Sequence, residues 1–227
     1  MADRLPWNRV AVLAPHADDE VLGCGGTLAR LADQGADTAV IIVTSGTEPR
    51  FSRDYVAGVK AETAAAHAFL QVGRTIHLDL PAAALETVPQ GRLNEAVGAA
   101  LTDFAPDTLL VPFVGDIHVD HQLVFNAALV WARPRSHAAP TKILAYETLS
   151  ETNWWAPGIT PAFAPNCYVD IADQLERKLQ AFGMFRSQVK SFPDERSLET
   201  IRALARVRGS TVYRDAAEAF AVVRLIL

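Results

Sequence analysis

The stretch VLAPHADDEVLGCGG, residues 12–26, decides how this chain is read. A short apolar run ends at Ala14, and His16, Asp18, Asp19 and Glu20 follow at once, with Gly23, Gly25 and Gly26 a turn later. An apolar run that gives way to turn residues and then to apolar residues spaced by three and four reads as strand, loop and helix. The charged cluster therefore sits where a strand ends and a helix begins. Three readings compete for it: a glycine-rich nucleotide loop, a helix capped by aspartate, and a metal site.

Working outward, further apolar runs bounded by turn residues occur at Thr38–Val43, Thr75–Leu78, Thr108–Val111 and Ile143–Tyr146, with helical spacing between them. Strands alternating with helices predict an α/β fold, a Rossmann-like three-layer sandwich with a mainly parallel sheet and right-handed crossovers. Such sheets bind ligands beyond the carboxyl ends of their strands. The residues just past the first, second, fourth and fifth of these strands are the unusual ones: His16 to Asp19, Ser45 to Asp54, Gly115 to His121 and Glu147 to Trp155. Past Ser150 the proline- and aromatic-rich TNWWAPGITPAFAP predicts a long loop or lid. A strand is expected at Cys167–Val169, helices at Asp173–Gln188 and Asp194–Arg208 with Gly209 as the stop, and a last strand at Ala219–Leu227.

The 227 residues, half of them apolar, suffice for one large core, and with no repeat or linker a single domain over 1–227 is expected. The net charge of −5 provides no basic surface for nucleic acid. No signal-like segment and no run of about 18 apolar residues is present, so the expectation is a cytoplasmic protein without a membrane span. Cys24 and Cys167 fit neither a disulfide framework nor a CxxC site and read as small hydrophobes. Oligomeric state is open, a homo-oligomer included.

In a dinucleotide loop the first glycine turns directly after the strand, so that pyrophosphate meets the helix N-terminus. Here carboxylates occupy that place, and the glycines fall where they would let the helix pack closely. A capping aspartate would account for Asp18 or Asp19 alone. It leaves unexplained the second cluster, GDIHVDHQL at 115–123, where His118 and His121 stand three apart at a predicted helix start. Together His16, Asp19 and His121 offer two imidazoles and a carboxylate, a donor set suited to one zinc ion with an open position, and also to Fe(II) or Co(II). Water activated at such an ion still needs a base, for which Asp18 is the candidate. His118, if protonated, would donate to the oxyanion of a tetrahedral intermediate, with Asp120 or Asp116 keeping it charged and oriented. Two other enzymes use related parts: a two-metal phosphoesterase, which needs bridging carboxylates from Asp116, Asp120 or Glu147, and a dinucleotide-dependent oxidoreductase using Gly23 to Gly26. A metal-binding protein without catalysis would not need Asp18 and His118.

His16-Ala17-Asp18-Asp19-Glu20 and His118-Val119-Asp120-His121 together resemble the two motifs of the PIG-L or LmbE-like zinc-dependent de-N-acetylases, His-Pro-Asp-Asp-Glu and His-x-Asp-His. Gly23 to Gly26, Lys60 to Leu70, Ser187-Gln188 and Glu218-Ala219-Phe220 also look like family features. The resemblance implies His16, Asp19 and His121 as zinc ligands, Asp18 as general base and His118 as oxyanion stabiliser. It also implies removal of acetyl from an N-acetylated amino sugar or its conjugate. Two positions depart from the pattern: Ala17 replaces proline, and Pro81-Ala82-Ala83 stands where many relatives have Pro-Asp-Gly. Substrate contacts are expected from Glu48, Arg50 and Arg53 after the second strand, and from Trp154 and Trp155 as sugar-stacking rings. His67 and His77 are expected to be structural or surface residues.

Overall fold

The computed structural model describes residues 4–135, 139–154, 156 and 158–226. Among the described residues seven strands form one sheet: β1 (Arg9–Ala14), β2 (Asp37–Ser45), β3 (Arg74–Pro81), β4 (Thr108–Pro112), β5 (Lys142–Tyr146), β6 (Cys167–Asp170) and β7 (Ala217–Leu225). Their order is β3-β2-β1-β4-β5-β7-β6. The first five are mutually parallel, and β7 runs antiparallel to both β5 and β6. The predicted fold class is the observed one.

Side-chain alternation sends each strand's apolar residues to both faces. Val10, Val12, Ala14, Val40 and Ile42 meet α1 (Asp19–Asp33), α2 (Arg53–Leu70), α5 (Leu175–Gly183) and α6 (Leu198–Ser210) on one face. Ala11, Leu13, Ala39, Ile41 and Val43 meet α3 (Gln90–Phe104) and α4 (Val119–Trp131) on the other. Covered on both sides, β1 is buried from Val10 to Ala14, which explains its unbroken apolar sequence. The chain leaves β1 toward β2 on one side, and β4 joins β1 on the other, so the loops after β1 and β4 open a crevice at the point where strand order reverses. The two His/Asp clusters lie on those two loops.

The glycines of α1 serve contact. A Cβ on Gly23 would lie 2.3 Å from Tyr146 Cδ2, and one on Gly26 would lie 2.7 Å from Ile171 Cδ1. Both are interior helix positions rather than a phosphate turn, which removes the structural basis of the oxidoreductase alternative. The Tyr146 ring is fully buried and its hydroxyl donates to Leu13 O at 2.7 Å, so it has little room to retreat. Gly23→Ala is expected to lower stability by about 1–3 kcal/mol through overpacking, despite alanine's better helix propensity. Urea unfolding checks this, and an unchanged midpoint would show that the ring yields.

Two boundaries differ from expectation. The helix expected at 173–188 covers only Leu175–Gly183, and the next runs from Leu198 through Gly209 to Ser210. Gly209 is not a helix stop: a Cβ there would meet Arg214 O at 2.6 Å and Ala216 Cα at 2.7 Å, so the residue permits a close backbone approach inside the helix. Residues 147–166 contain no helix or strand among those described, in keeping with the expected loop. Trp155 lies outside the described residues, as does Leu227, and β7 ends at Leu225. No described helix is long and apolar enough to cross a membrane.

Candidate metal centre and active-site cavity

The backbone after β1 is sharply bent. Asp18, the N-cap of α1, has φ 112°, a conformation costly for an L-residue and better tolerated by Asp or Asn than by most. It is held on three sides: Asp18 N–H donates to Glu20 Oε2 at 3.1 Å, and Asp18 O accepts from Val21 N and Leu22 N. Glu20 is fixed in turn by buried His67 at 3.0 Å, whose other nitrogen meets Thr75 Oγ1 at 2.7 Å. His67 is thus structural, as expected. The Asp18 side chain caps nothing. It lines a cavity of about 240 Å³ instead.

His16, Asp19 and His121 converge, with one donor atom from each lying within 4.8 Å of the others. Asp19 Oδ2 is 3.3 Å from His16 Nδ1 and 3.2 Å from His121 Nε2. The opposite nitrogen of each imidazole is tied to a carboxylate: His16 Nε2 to Asp120 Oδ2 at 2.9 Å, and His121 Nδ1 to Asp116 Oδ2 at 2.8 Å. Carboxylate partners of this kind fix ring orientation and tautomer in metal-binding histidines. Asp116 is itself anchored by the Thr152 hydroxyl at 2.6 Å. Among the described residues Asp19 Oδ1 and His121 Nε2 are buried and make no hydrogen bond, the latter having only its ion-pair contact with Asp19 Oδ2, a costly state that a cation among these three residues would relieve. The residues present fit a divalent ion.

The protonation preferences of the site follow from burial set against charge. Burial pulls the imidazole pKa values down, but adjacent carboxylates prevail. Hydrogen bonds to Asp120 and Asp19 bring His16 to about 9, and Asp19 and Asp116 bring His121 to about 10. A cation must therefore displace protons to take these nitrogens. Asp18 moves upward, well above the usual carboxylate range, because burial and then the neighbouring acids Asp19 and Glu20 outweigh the pull of Arg196.

His118 departs from expectation. Its Nδ1 accepts the Asp120 backbone N–H at 3.1 Å and so carries no proton. Burial, and then the charge on His16, hold its pKa below the ordinary value. A neutral ring with its proton on Nε2 results. Asp120 does not keep it charged: that carboxylate is 3.9 Å from His118 Nδ1 and serves His16 and the Ala83 N–H, at 2.8 Å, instead. The two aspartates assigned to His118 from sequence orient the candidate ligands His16 and His121. A second group, His16, His118 and Asp120, shares His16 with the first and so does not form an independent site. Glu147, one of the three carboxylates considered for a two-metal centre, is paired with Arg208 through both oxygens at 2.8 and 2.6 Å and belongs to neither group.

The expected substrate contacts separate. Glu48 and Arg53 pair with each other at 3.0 Å on the surface and border a shallow hollow beside this cavity rather than the cavity itself. Arg50 donates to Ala83 O at 2.9 Å and, with exposed Trp154, borders an outer hollow that adjoins the cavity at Ala83, His118 and Glu151. Three cavity residues escape the sequence reading. Arg196 Nη1 lies 3.0 Å from Asp18 Oδ2 and 2.8 Å from Gln188 Oε1, while its Nε reaches Ser150 Oγ at 3.0 Å. Glu151 also lines the cavity, its pKa raised by burial. His77, expected to be a structural or surface residue, also lines the cavity. The sequence marks the loop after β5, which holds Glu151, as site-forming; Arg196, in the exposed-looking SFPDERS, carries no local signal.

The model of the PIG-L family, described as GlcNAc-PI de-N-acetylase, matches residues 11–132. The chain belongs to this family. The match spans both His/Asp clusters, and the architecture agrees. The conserved protein TT1542 from Thermus thermophilus superposes with a TM-score of 0.77 at 26% identity, covering 97% of this chain and 96% of that one. Escherichia coli YaiS, described as an uncharacterized deacetylase, is 30% identical over 149 residues, which is 62% of this chain and 74% of that protein. The 2'-N-acetylparomamine deacetylase of Streptomyces fradiae is 28% identical over 235 residues, 89% of this chain and 80% of that enzyme.

Proposed function

We propose that this member of the PIG-L family is a metal-dependent amide hydrolase that removes acetyl from an N-acetylated amino sugar or its conjugate. The observation that carries the metal is the convergence of His16, Asp19 and His121, with Asp19 Oδ1 and His121 Nε2 buried and making no hydrogen bond among the described residues. Family membership and deacetylase relatives such as the S. fradiae enzyme support the substrate class. Zinc, with Fe(II) or Co(II) as alternatives for the same donors, would when bound polarise the acetamide carbonyl and acidify water.

The remaining work falls to the chain's own side chains. Asp18, whose carboxylate is the form that accepts a proton, takes one from the attacking water and returns it to the departing amine, so that amide and water become acetate and free amine. Arg196 fixes where that carboxylate points. His118 Nε2–H, held outward by the Asp120 N–H behind it, donates to the oxygen on which negative charge develops. Asp116 and Asp120 keep His121 and His16 in register.

Asp116→Asn is expected to weaken zinc affinity by about 10- to 100-fold, read by competition against a chromogenic chelator. Unaltered affinity would remove Asp116 from the site. The function itself is tested by acetate release from a panel of N-acetylated amino sugars. Release that is abolished by chelation and restored by zinc is expected, and no release from any of them with zinc present would refute it.

A further inference from the structure

The cavity extends beyond what hydrolysis of an acetamide requires. From the catalytic end it runs between α2 and the sheet, and α2 presents Tyr55, Val56, Val59 and Thr63 to it, spaced along one helix face. The fully buried residues of α2, Thr63, Ala66, His67 and Leu70, are confined to its C-terminal half. The N-terminal half leaves a slot, walled on one side by the Phe51 and Tyr55 rings, stacked at 5.8 Å and 18°. The cavity of about 240 Å³ takes in this slot together with the catalytic end.

The polar side chains around this slot are turned to other partners. Thr63 Oγ1 donates to Val59 O at 2.8 Å, Thr44 Oγ1 to Pro15 O at 2.7 Å, and Lys60 Nζ to Asp79 Oδ1 at 2.6 Å. Gln188 bridges Tyr55 and Arg196. Ser45 and His77 remain to meet a polar substrate atom, and burial followed by Lys60 holds His77 below its ordinary pKa, hence neutral. The facing loop contributes Ala82 and Ala83. Such a wall rewards apolar area and offers little to hydroxyl groups.

We infer that the slot lined by Phe51, Tyr55, Val56 and Val59 is a subsite for an apolar substituent carried next to the scissile amide. The inference rests on the hydrolase reading above and narrows its substrate class. The substituent can belong to the acyl group or to the amine side, and two substrate series separate these: N-acyl glucosamines from acetyl to hexanoyl, and alkyl N-acetylglucosaminides from methyl to hexyl. In one series kcat/KM should rise about fourfold per methylene over the first few, and that series names the side. The same trend should appear without turnover, in calorimetric binding of acetate to hexanoate or of methyl to hexyl glucosaminide. Val59→Phe, at a half-buried helix position, should flatten the slope by filling the slot. Flat slopes in both series beside measurable N-acetyl hydrolysis, or a slope that survives Val59→Phe, would overturn the inference and leave the deacetylase reading standing. Hydrolysis of no member would overturn both.

Discussion

Asp18→Asn is expected to lose about 10²- to 10⁴-fold in turnover, the range by which a positioned general base accelerates proton transfer, while keeping its metal. Asparagine is the right substitution because the backbone at Asp18 sits at φ 112°. Asn tolerates positive φ about as well as Asp, so the turn into α1 survives and the Glu20 contact to the residue 18 N–H is untouched. What is removed is the ability to accept a proton. The amide oxygen can still take a hydrogen bond from Arg196, which limits collapse of the cavity wall. Steady-state rates beside metal analysis check this. Turnover within a few-fold of the parent would take the base role away from Asp18, and loss of metal would show that the residue supports the ligand set instead.

Lys178→Met is expected to cost about 3–5 kcal/mol of stability, the usual effect of removing one partner of a buried ion pair. Lys178 Nζ lies 2.6 Å from Glu218 Oε1 and 2.7 Å from Leu22 O, and both charged side chains are almost completely buried. The two oxygens of Glu218 also accept the Gly26 and Thr27 N–H groups in the middle of α1, at 2.8 and 2.7 Å. The pair therefore clamps the helix that carries Asp19 to the strand β7 and the helix α5. For many buried pairs, replacing both members with apolar residues restores stability. Here Lys178→Met with Glu218→Met should not, because Leu22 O and the two N–H groups would each lose a partner. Against a total stability of about 5–15 kcal/mol, either variant should shift the denaturant midpoint visibly. A double variant as stable as the parent would show that the clamp is replaceable by packing.

How far the sequence could be read depended on how local each feature is. His16, Asp18 and Asp19 lie within four residues, and His118 and His121 within another four, so the strand-then-cluster pattern exposed both halves of the candidate centre. Their meeting followed from one topological rule, that parallel strands gather their carboxyl-end loops at the switch point. Partner choice within the centre was not legible. Asp116 and Asp120 are each close in sequence to His118, yet the geometry gives Asp116 to His121 and Asp120 to His16, because helical rise and loop direction decide which imidazole a carboxylate reaches. Arg196 is 178 residues from Asp18. Lys178 in a charged helix and Glu218 in a strand carry no pattern that predicts a buried pair. Gly209 shows the converse: a residue type with two structural uses, of which the sequence suggested the wrong one.

The most direct measurement is the metal content of the purified chain beside His121→Ala, after both have been offered zinc and washed free of excess. One equivalent per chain in the parent, falling to background in the variant, is the result expected of a mononuclear site on His16, Asp19 and His121. No bound metal in the parent, or an equivalent that persists in His121→Ala, would contradict it.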